Sequence, residues 1–201
     1  DNIKGYKGQK LAVNVHGSWA NHALMFGMPK NTSLKDQFFE LNRRWDNYPN
    51  GKVEWVESDK APCHEVILDE GNFNLLELLP CYKVNEYDGG FYLSKASVVT
   101  KDPDDPDNFD KENVGTYRLQ IQDANTLCMQ GLAFHDVAIQ LRKAEERNEP
   151  LPIAVCLGVD PVLTFMASTP IAYDQSEYKM AAALNGIPMV LTKTTDGKLD
   201  V

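Results

Sequence analysis

The chain has 201 residues, 43% hydrophobic and 24% charged, an ordinary globular composition. Its net charge of −9 argues against a nucleic-acid footprint, although an acidic chain can still hold a local anion pocket. No apolar run reaches the roughly 18 residues a membrane span needs, and the polar Asp1–Lys10 stretch is not expected to be a signal peptide.

Four cysteines, Cys63, Cys81, Cys128 and Cys156, make no C-x-x-C pair. They are expected to be reduced structural thiols of a cytoplasmic protein. The absence of an initiator Met and the ending "KTTDGKLDV" lead us to expect a piece of a longer polypeptide.

In chain order, Leu11–Val15 reads as a short apolar strand broken by His16-Gly17-Ser18. Leu34–Trp45 reads as a helix, with Leu34, Phe38, Leu41 and Trp45 at helical spacing after a Thr32-Ser33 cap signal. Tyr48–Pro62 reads as irregular, with Pro49, Gly51 and Pro62 as breakers. Leu75–Leu79 is a short apolar run, Asp88-Gly89-Gly90 a turn, and Phe91–Thr100 one strand.

The acidic stretch Lys101–Asn113 invites comparison with a calcium loop. It fails, because Pro106 and Asp107 stand where such a loop needs a ligand and then glycine, and Asn113 replaces the bidentate glutamate. A solvated loop between two strands is the expectation.

In "NVGTYRLQIQ", Tyr117, Leu119 and Ile121 alternate with Arg118, Gln120 and Gln122, the period of a strand with one polar face. His135 precedes a helix over Asp136–Arg147 with Val137, Leu141 and Ala144 as its apolar stripe. Leu151–Gly158 reads as a buried strand, and Asp160-Pro161 opens a helix. Tyr173–Leu184 reads as a helix capped by Asp174 or Ser176, and Ile187–Thr192 as a strand. Mixed elements without a regular strand–helix alternation indicate the α+β class.

Four polar residues stand at element boundaries, and each has two readings. Asn113 caps a turn or offers an amide oxygen to a ligand. Arg118 is a surface residue or a fork for a carboxylate. His135 merely adjoins the Asp136 cap or offers a ring nitrogen, and Glu177 complements a helix dipole or offers a carboxylate. An Asn, a His and a Glu together form a donor set suited to Mn²⁺ or Mg²⁺. A cation there would hold a phosphate without a basic patch. Gly115 would let the backbone come close to such a ligand. His22 reads as a core or interface histidine, and Trp19 and Trp45 as packing aromatics.

Four segments in one order carry a resemblance: "GSWANHALMFGMP", "DPDNFDKENVGTYRLQ", "HDVAIQLRKAEERNEPLP" and "LGVDPVLTFMASTPIAYDQSEY". Together they resemble the UbiD-type decarboxylases, specifically the hydroxyarylic acid branch acting on 4-hydroxybenzoate, vanillate and protocatechuate.

The resemblance implies an N-terminal α/β portion over residues 1–85 and an incomplete split β-barrel over 86–201 that binds prenylated FMN. It implies metal ligation of Mn²⁺ (or Mg²⁺) by Asn113, His135 and Glu177, with K⁺ nearby. It places Thr116 and Tyr117 along the flavin edge and Ala167, Ser168 and Thr169 around the phosphate and K⁺. It makes Arg118 the catalytic residue, facing flavin and substrate carboxylate. The substrate implied is an aromatic hydroxy acid, and the implied cofactor acts as an electron sink while CO₂ leaves. A flavin prenyltransferase would supply the cofactor, and the protein would be a homo-oligomer that binds neither nucleic acid nor membrane.

Two departures stand out. The family's later motif resembling E-G-P-F-G-E, which carries its acid/base glutamates, does not occur in these residues. Phe134 stands where some members have a polar residue. The residues 1–201 alone are therefore expected to be inactive. A phenylphosphate-type carboxylase subunit and a catalytically incomplete flavin- or phosphate-binding module remain alternatives.

Overall fold

A computed structural model describes Ile3 and residues 5–201; Asp1, Asn2 and Lys4, within the polar opening stretch, lie outside the described residues. Capping side chains set where the helices begin. α1 (Trp19–Met25) starts where Ser18 Oγ accepts the Asn21 N–H at 3.1 Å. Sequence periodicity did not reveal this helix, because it has only two turns. α2 (Leu34–Trp45) starts where Ser33 Oγ accepts the Asp36 N–H at 3.2 Å, as the cap signal predicted. Its Leu41 and Trp45 pack on the core, whereas Leu34 and Phe38 face outward. Arg44 donates to the carbonyls of Phe26 at 2.8 Å and Leu184 at 2.7 Å, tying α2 to both neighbours.

Leu11–Val15 is not a strand. Its alternate apolar residues Leu11, Val13 and Val15 are exposed and no neighbouring strand pairs with them. Conversely, the stretch read as irregular contains β1 (Val53–Trp55). The short helix α3 (Leu75–Leu78) is capped by Asn74, whose Oδ1 accepts the Leu76 N–H.

The run Phe91–Thr100 splits into β2 (Phe91–Leu93) and β3 (Ser97–Lys101), which belong to different sheets. A period-two pattern does not reveal such a switch, because both pieces keep it. β3 pairs antiparallel with β4 (Glu112–Thr116), setting Thr100 opposite Asn113. The intervening acidic loop is not wholly solvated. Asp102 is buried, accepting from Lys143 Nζ at 2.7 Å and the Tyr173 hydroxyl at 2.9 Å. β5 (Leu119–Ile121) lies between β2 and β6 (Leu127–Met129), and its alternation holds: Leu119 and Ile121 are buried, Gln120 partly exposed.

α4 (Asp136–Glu146) has His135 at its cap position and buries Val137 and Ala144, but Leu141 is exposed and Gln140 takes its inward place. Gln140 is accommodated because its amide donates to the Lys111 carbonyl at 3.1 Å. Only β7 (Ala154–Cys156) of the predicted Leu151–Gly158 strand pairs, on β3. α5 (Pro161–Met166) opens with Asp160 Oδ1 accepting the Val162 N–H at 2.7 Å. α6 (Glu177–Asn185) follows the Ser176 cap, and its first residue lies four positions after Tyr173. β8 (Met189–Leu191) pairs parallel with β1.

The result is a mixed α/β fold with sheets of two, three and three strands; among the described residues no barrel closes. α6 is the centre of the main core: Tyr178, Met180, Ala181, Ala182 and Leu184 are all buried against α5, α2 and β8. Its alanines let neighbours approach closely. Gly51 sits so near that a Cβ there would lie 2.0 Å from the Lys179 carbonyl oxygen. β1 and α2 thus share one core with β8 and α6 across residue 85. All four cysteines are unpaired: Cys81 is buried, Cys156 half-buried, and Cys63 and Cys128 are exposed. His22 is half-buried, its Nδ1 2.9 Å from Gln37 Oε1 and its ring edge-on to Phe26 and Phe165. Trp19 is largely exposed.

Candidate active-site cleft

Strand β4 forms one wall of a cleft of about 400 Å³. Along it, Asn113, Gly115, Thr116 and Tyr117 face the His135–Asp136 start of α4, the Ser168-Thr169 turn after α5, and Glu177 at the start of α6. Residues far apart in the chain meet here because three helix ends converge on one strand.

Glu177 is 6% exposed, and its Oε2 accepts the Val114 N–H at 3.1 Å. Burial pushes its carboxyl up to about 8, and the nearby Asp136 carboxylate pushes the same way. Burial also raises Asp136, against a lowering influence from His135. Two carboxyl groups therefore face one cleft, and among the described residues neither makes an ion pair. Asn113 is buried and donates its amide N–H to Thr100 Oγ1 at 3.0 Å, which fixes the amide and leaves its oxygen as the acceptor end. His135 Nδ1 accepts the Leu132 N–H at 3.2 Å, so the neutral ring carries its proton on Nε2.

The Ser168-Thr169 turn is fastened to the strand. Thr116 N–H donates to the Ala167 carbonyl at 2.7 Å, and Ser168 Oγ donates to Thr116 Oγ1 at 3.1 Å. Thr169 Oγ1 donates back to the Phe165 carbonyl at 2.7 Å. Tyr117 is buried, with its phenol raised by that burial, and its ring lies 5.5 Å from that of His135.

The space at Gly115 is not left for a ligand. A Cβ there would lie 2.4 Å from the Tyr117 ring, so the glycine makes room for that ring against the strand. Asp136, which the sequence suggests as a cap, is instead the first helical residue and lines the cleft. Its position directly after His135 was the available signal.

Asn113, Thr116, Tyr117, His135, Ser168, Thr169 and Glu177 thus come together. Arg118 does not join them. It is exposed, 6.0 Å from the centre of the Tyr92 ring, and it lines two neighbouring hollows of about 520 and 1030 Å³. The predicted single strand breaks here: Tyr117 and Arg118 link β4 to β5, which belong to different sheets, and Tyr117 is buried whereas Arg118 is exposed.

The donors suit a hard divalent cation: an amide oxygen, an imidazole and a buried carboxyl group with no countercharge among the described residues. Among the described residues no group of three or more His, Cys, Asp and Glu is spaced to hold a metal, so the Asn113 amide would be an essential member.

A mixed α/β chain with a cleft between one strand and three helix ends is the arrangement of a small-molecule or cofactor site. Residues 54–201 match the UbiD family, described as the 3-octaprenyl-4-hydroxybenzoate carboxy-lyase Rift-related domain, and the chain belongs to that family. A phenolic acid decarboxylase of Sedimentibacter hydroxybenzoicus is 56% identical over 195 residues, covering 96% of this chain and 40% of the relative. The closed form of the S. hydroxybenzoicus vanillic acid decarboxylase superimposes with a TM-score of 0.91 at 55% identity, over 97% of this chain and 41% of that one. An evolved dimeric form of the UbiD-class enzyme HmfF from Pelotomaculum thermopropionicum, in complex with prFMN, gives 0.79 at 27% identity, over 92% of this chain and 40% of that one. The chain therefore spans about 40% of the length of the relatives it matches.

Proposed function

We propose that these residues form the cofactor-phosphate and metal portion of a reversible, non-oxidative hydroxyarylic acid decarboxylase. The observation that carries this reading is the convergence of Asn113, His135 and Glu177 on one cleft beside the Ser168-Thr169 turn. The relatives named for phenolic and vanillic acid decarboxylation support the substrate class. The HmfF complex supports prenylated FMN as cofactor.

In this reading Asn113, His135 and Glu177 hold Mn²⁺ or Mg²⁺, which neutralises the cofactor phosphate. For a neutral His135 to ligate through Nε2, the ring proton would have to move to Nδ1 and the Leu132 N–H bond would break. Thr116 and Tyr117 border the flavin, and Ser168 and Thr169 serve the phosphate and K⁺. When bound, prenylated FMN supplies an electron sink for the departing CO₂. Arg118, exposed in the link between β4 and β5, presents its planar fork to the aromatic carboxylate. Residues 86–201 are the flavin-binding portion, and 1–85 support it through α2 and β1.

The proposal extends to a homo-oligomer, a flavin prenyltransferase as cofactor source and a cytoplasmic setting. The unpaired thiols agree with a reducing compartment. Among the described residues no helix is long and apolar enough to cross a membrane. Because these residues contain no motif resembling E-G-P-F-G-E, residues 1–201 alone release no CO₂.

The test is decarboxylation of a hydroxybenzoate panel by the whole enzyme matured with prenylated FMN and Mn²⁺. Release of CO₂ from a hydroxybenzoate is expected; none from any member of the panel overturns the reading.

A further inference from the structure

The two elements that carry Asn113 and Glu177 are joined from behind the cleft by a single residue. Asp200 donates its backbone N–H to Glu112 Oε1 at 2.8 Å. Its backbone carbonyl accepts from the Tyr178 hydroxyl at 2.7 Å. Glu112 directly precedes Asn113 on β4, and Tyr178 directly follows Glu177 on α6. Both side chains are fully buried and point away from the cleft that their neighbours line.

Asp200 is itself immobilised. Its carboxylate accepts from Trp55 Nε1 at 3.0 Å, Lys101 Nζ at 3.0 Å and Lys193 Nζ at 2.9 Å. A residue at the far end of the chain is thus anchored by three side chains, and its peptide groups bridge β4 to α6. On the cleft side those elements are linked directly by the Val114 N–H to Glu177 bond.

We infer that the Glu112–Asp200–Tyr178 bridge is a positioning device that sets the spacing of Asn113 and Glu177 and thereby the cation affinity of the cleft. This rests on the proposed metal site. Neither Glu112 nor Tyr178 touches the cleft, so each acts only through its neighbour in the chain. A donor that drifts by a fraction of an ångström loses affinity for a small hard cation.

The experiment measures Mn²⁺ binding to the purified protein, without cofactor or substrate, from the electron paramagnetic resonance signal of free Mn²⁺. Melting temperature is measured alongside. Tyr178→Phe and Glu112→Met each break one end of the bridge. Each is expected to weaken Mn²⁺ binding about tenfold, the effect typical of losing a group that orients a ligand. Glu112→Gln keeps the accepting oxygen and should bind within about twofold of the parent. Gln37→Ala is the control for plain destabilisation, because Gln37 bonds His22, Trp19 and Thr32, none of which lines the cleft. It should lower the melting temperature and leave Mn²⁺ affinity unchanged.

If Tyr178→Phe and Glu112→Met melt lower yet bind Mn²⁺ as the parent does, the bridge is only structural and the inference falls. If the parent binds Mn²⁺ no better than Glu177→Gln, the cation site itself falls, and the inference with it.

Discussion

The Glu177 carboxylate accepts the Val114 backbone N–H at 3.1 Å, joining the start of α6 to the strand that bears Asn113. Exchanging the carboxylate for an amide keeps an accepting oxygen and removes the charge. Glu177→Gln should therefore fold as the parent does, within about 1 kcal/mol, because the hydrogen bond survives. Mn²⁺ affinity should fall by at least about tenfold, as a hard cation loses its charged donor. Calorimetric titration with Mn²⁺ and a urea melt check both halves.

Gly115→Ala tests the wall of the cleft. The added Cβ would overlap the Tyr117 ring, which is backed by the strand and cannot swing away without leaving its buried place. A destabilisation of about 1–3 kcal/mol is expected from the overpacking. Flavin binding, followed by fluorescence quenching, should be lost. A variant with unchanged melting and unchanged flavin affinity would contradict this placement of Tyr117.

Asp102 gives a pH prediction. Although burial alone would raise it, bonds from Lys143, the Asp104 N–H and Tyr173 hold its carboxyl below the usual range. A carboxyl lowered in the folded state adds stability that is present above its unfolded value of about 3.9. That stability is lost as pH falls through the lower folded value. Asp102→Asn should cost about 2–3 kcal/mol at neutral pH, below the cost of a fully buried broken pair because Lys143 keeps partial access to solvent. It should also flatten the acid side of the stability curve, measured by urea melts between about pH 2 and pH 7.

Arg118 separates stability from activity. It is exposed and makes no ion pair among the described residues, so Arg118→Ala should leave the urea midpoint within about 0.5 kcal/mol of the parent. In the whole enzyme, decarboxylation should be abolished. Arg118→Lys should not restore it, because a point charge does not reproduce a bidentate fork. Full activity in either variant would remove Arg118 from the proposed chemistry.

The sequence by itself determined the helices and their caps where a local side chain decides the matter. Ser33, Asp160 and Ser176 each bond an N–H within the first turn, a contact that needs no distant partner. It likewise determined the strand alternation of Leu119 and Ile121, because burial on one face of a strand is written as a period of two. The family resemblance was also legible, and with it several of the residues that line the cleft.

Pairing and convergence were decided only by the tertiary structure. The division of Phe91–Thr100 between two sheets and the pairing of Val53–Trp55 with Met189–Leu191 depend on partners many residues away. The same holds for Asp102, whose burial is offset by Lys143 and Tyr173 from other elements. "NVGTYRLQIQ" shows both sides. Its residue types suggested candidate ligands, but only the packed chain showed Asn113 lining the cleft with Glu177, Gly115 yielding its space to Tyr117, and Arg118 exposed beside Tyr92. A side chain's neighbours within a turn are fixed by local geometry, whereas which elements meet across the core is fixed by the burial that the whole chain achieves together.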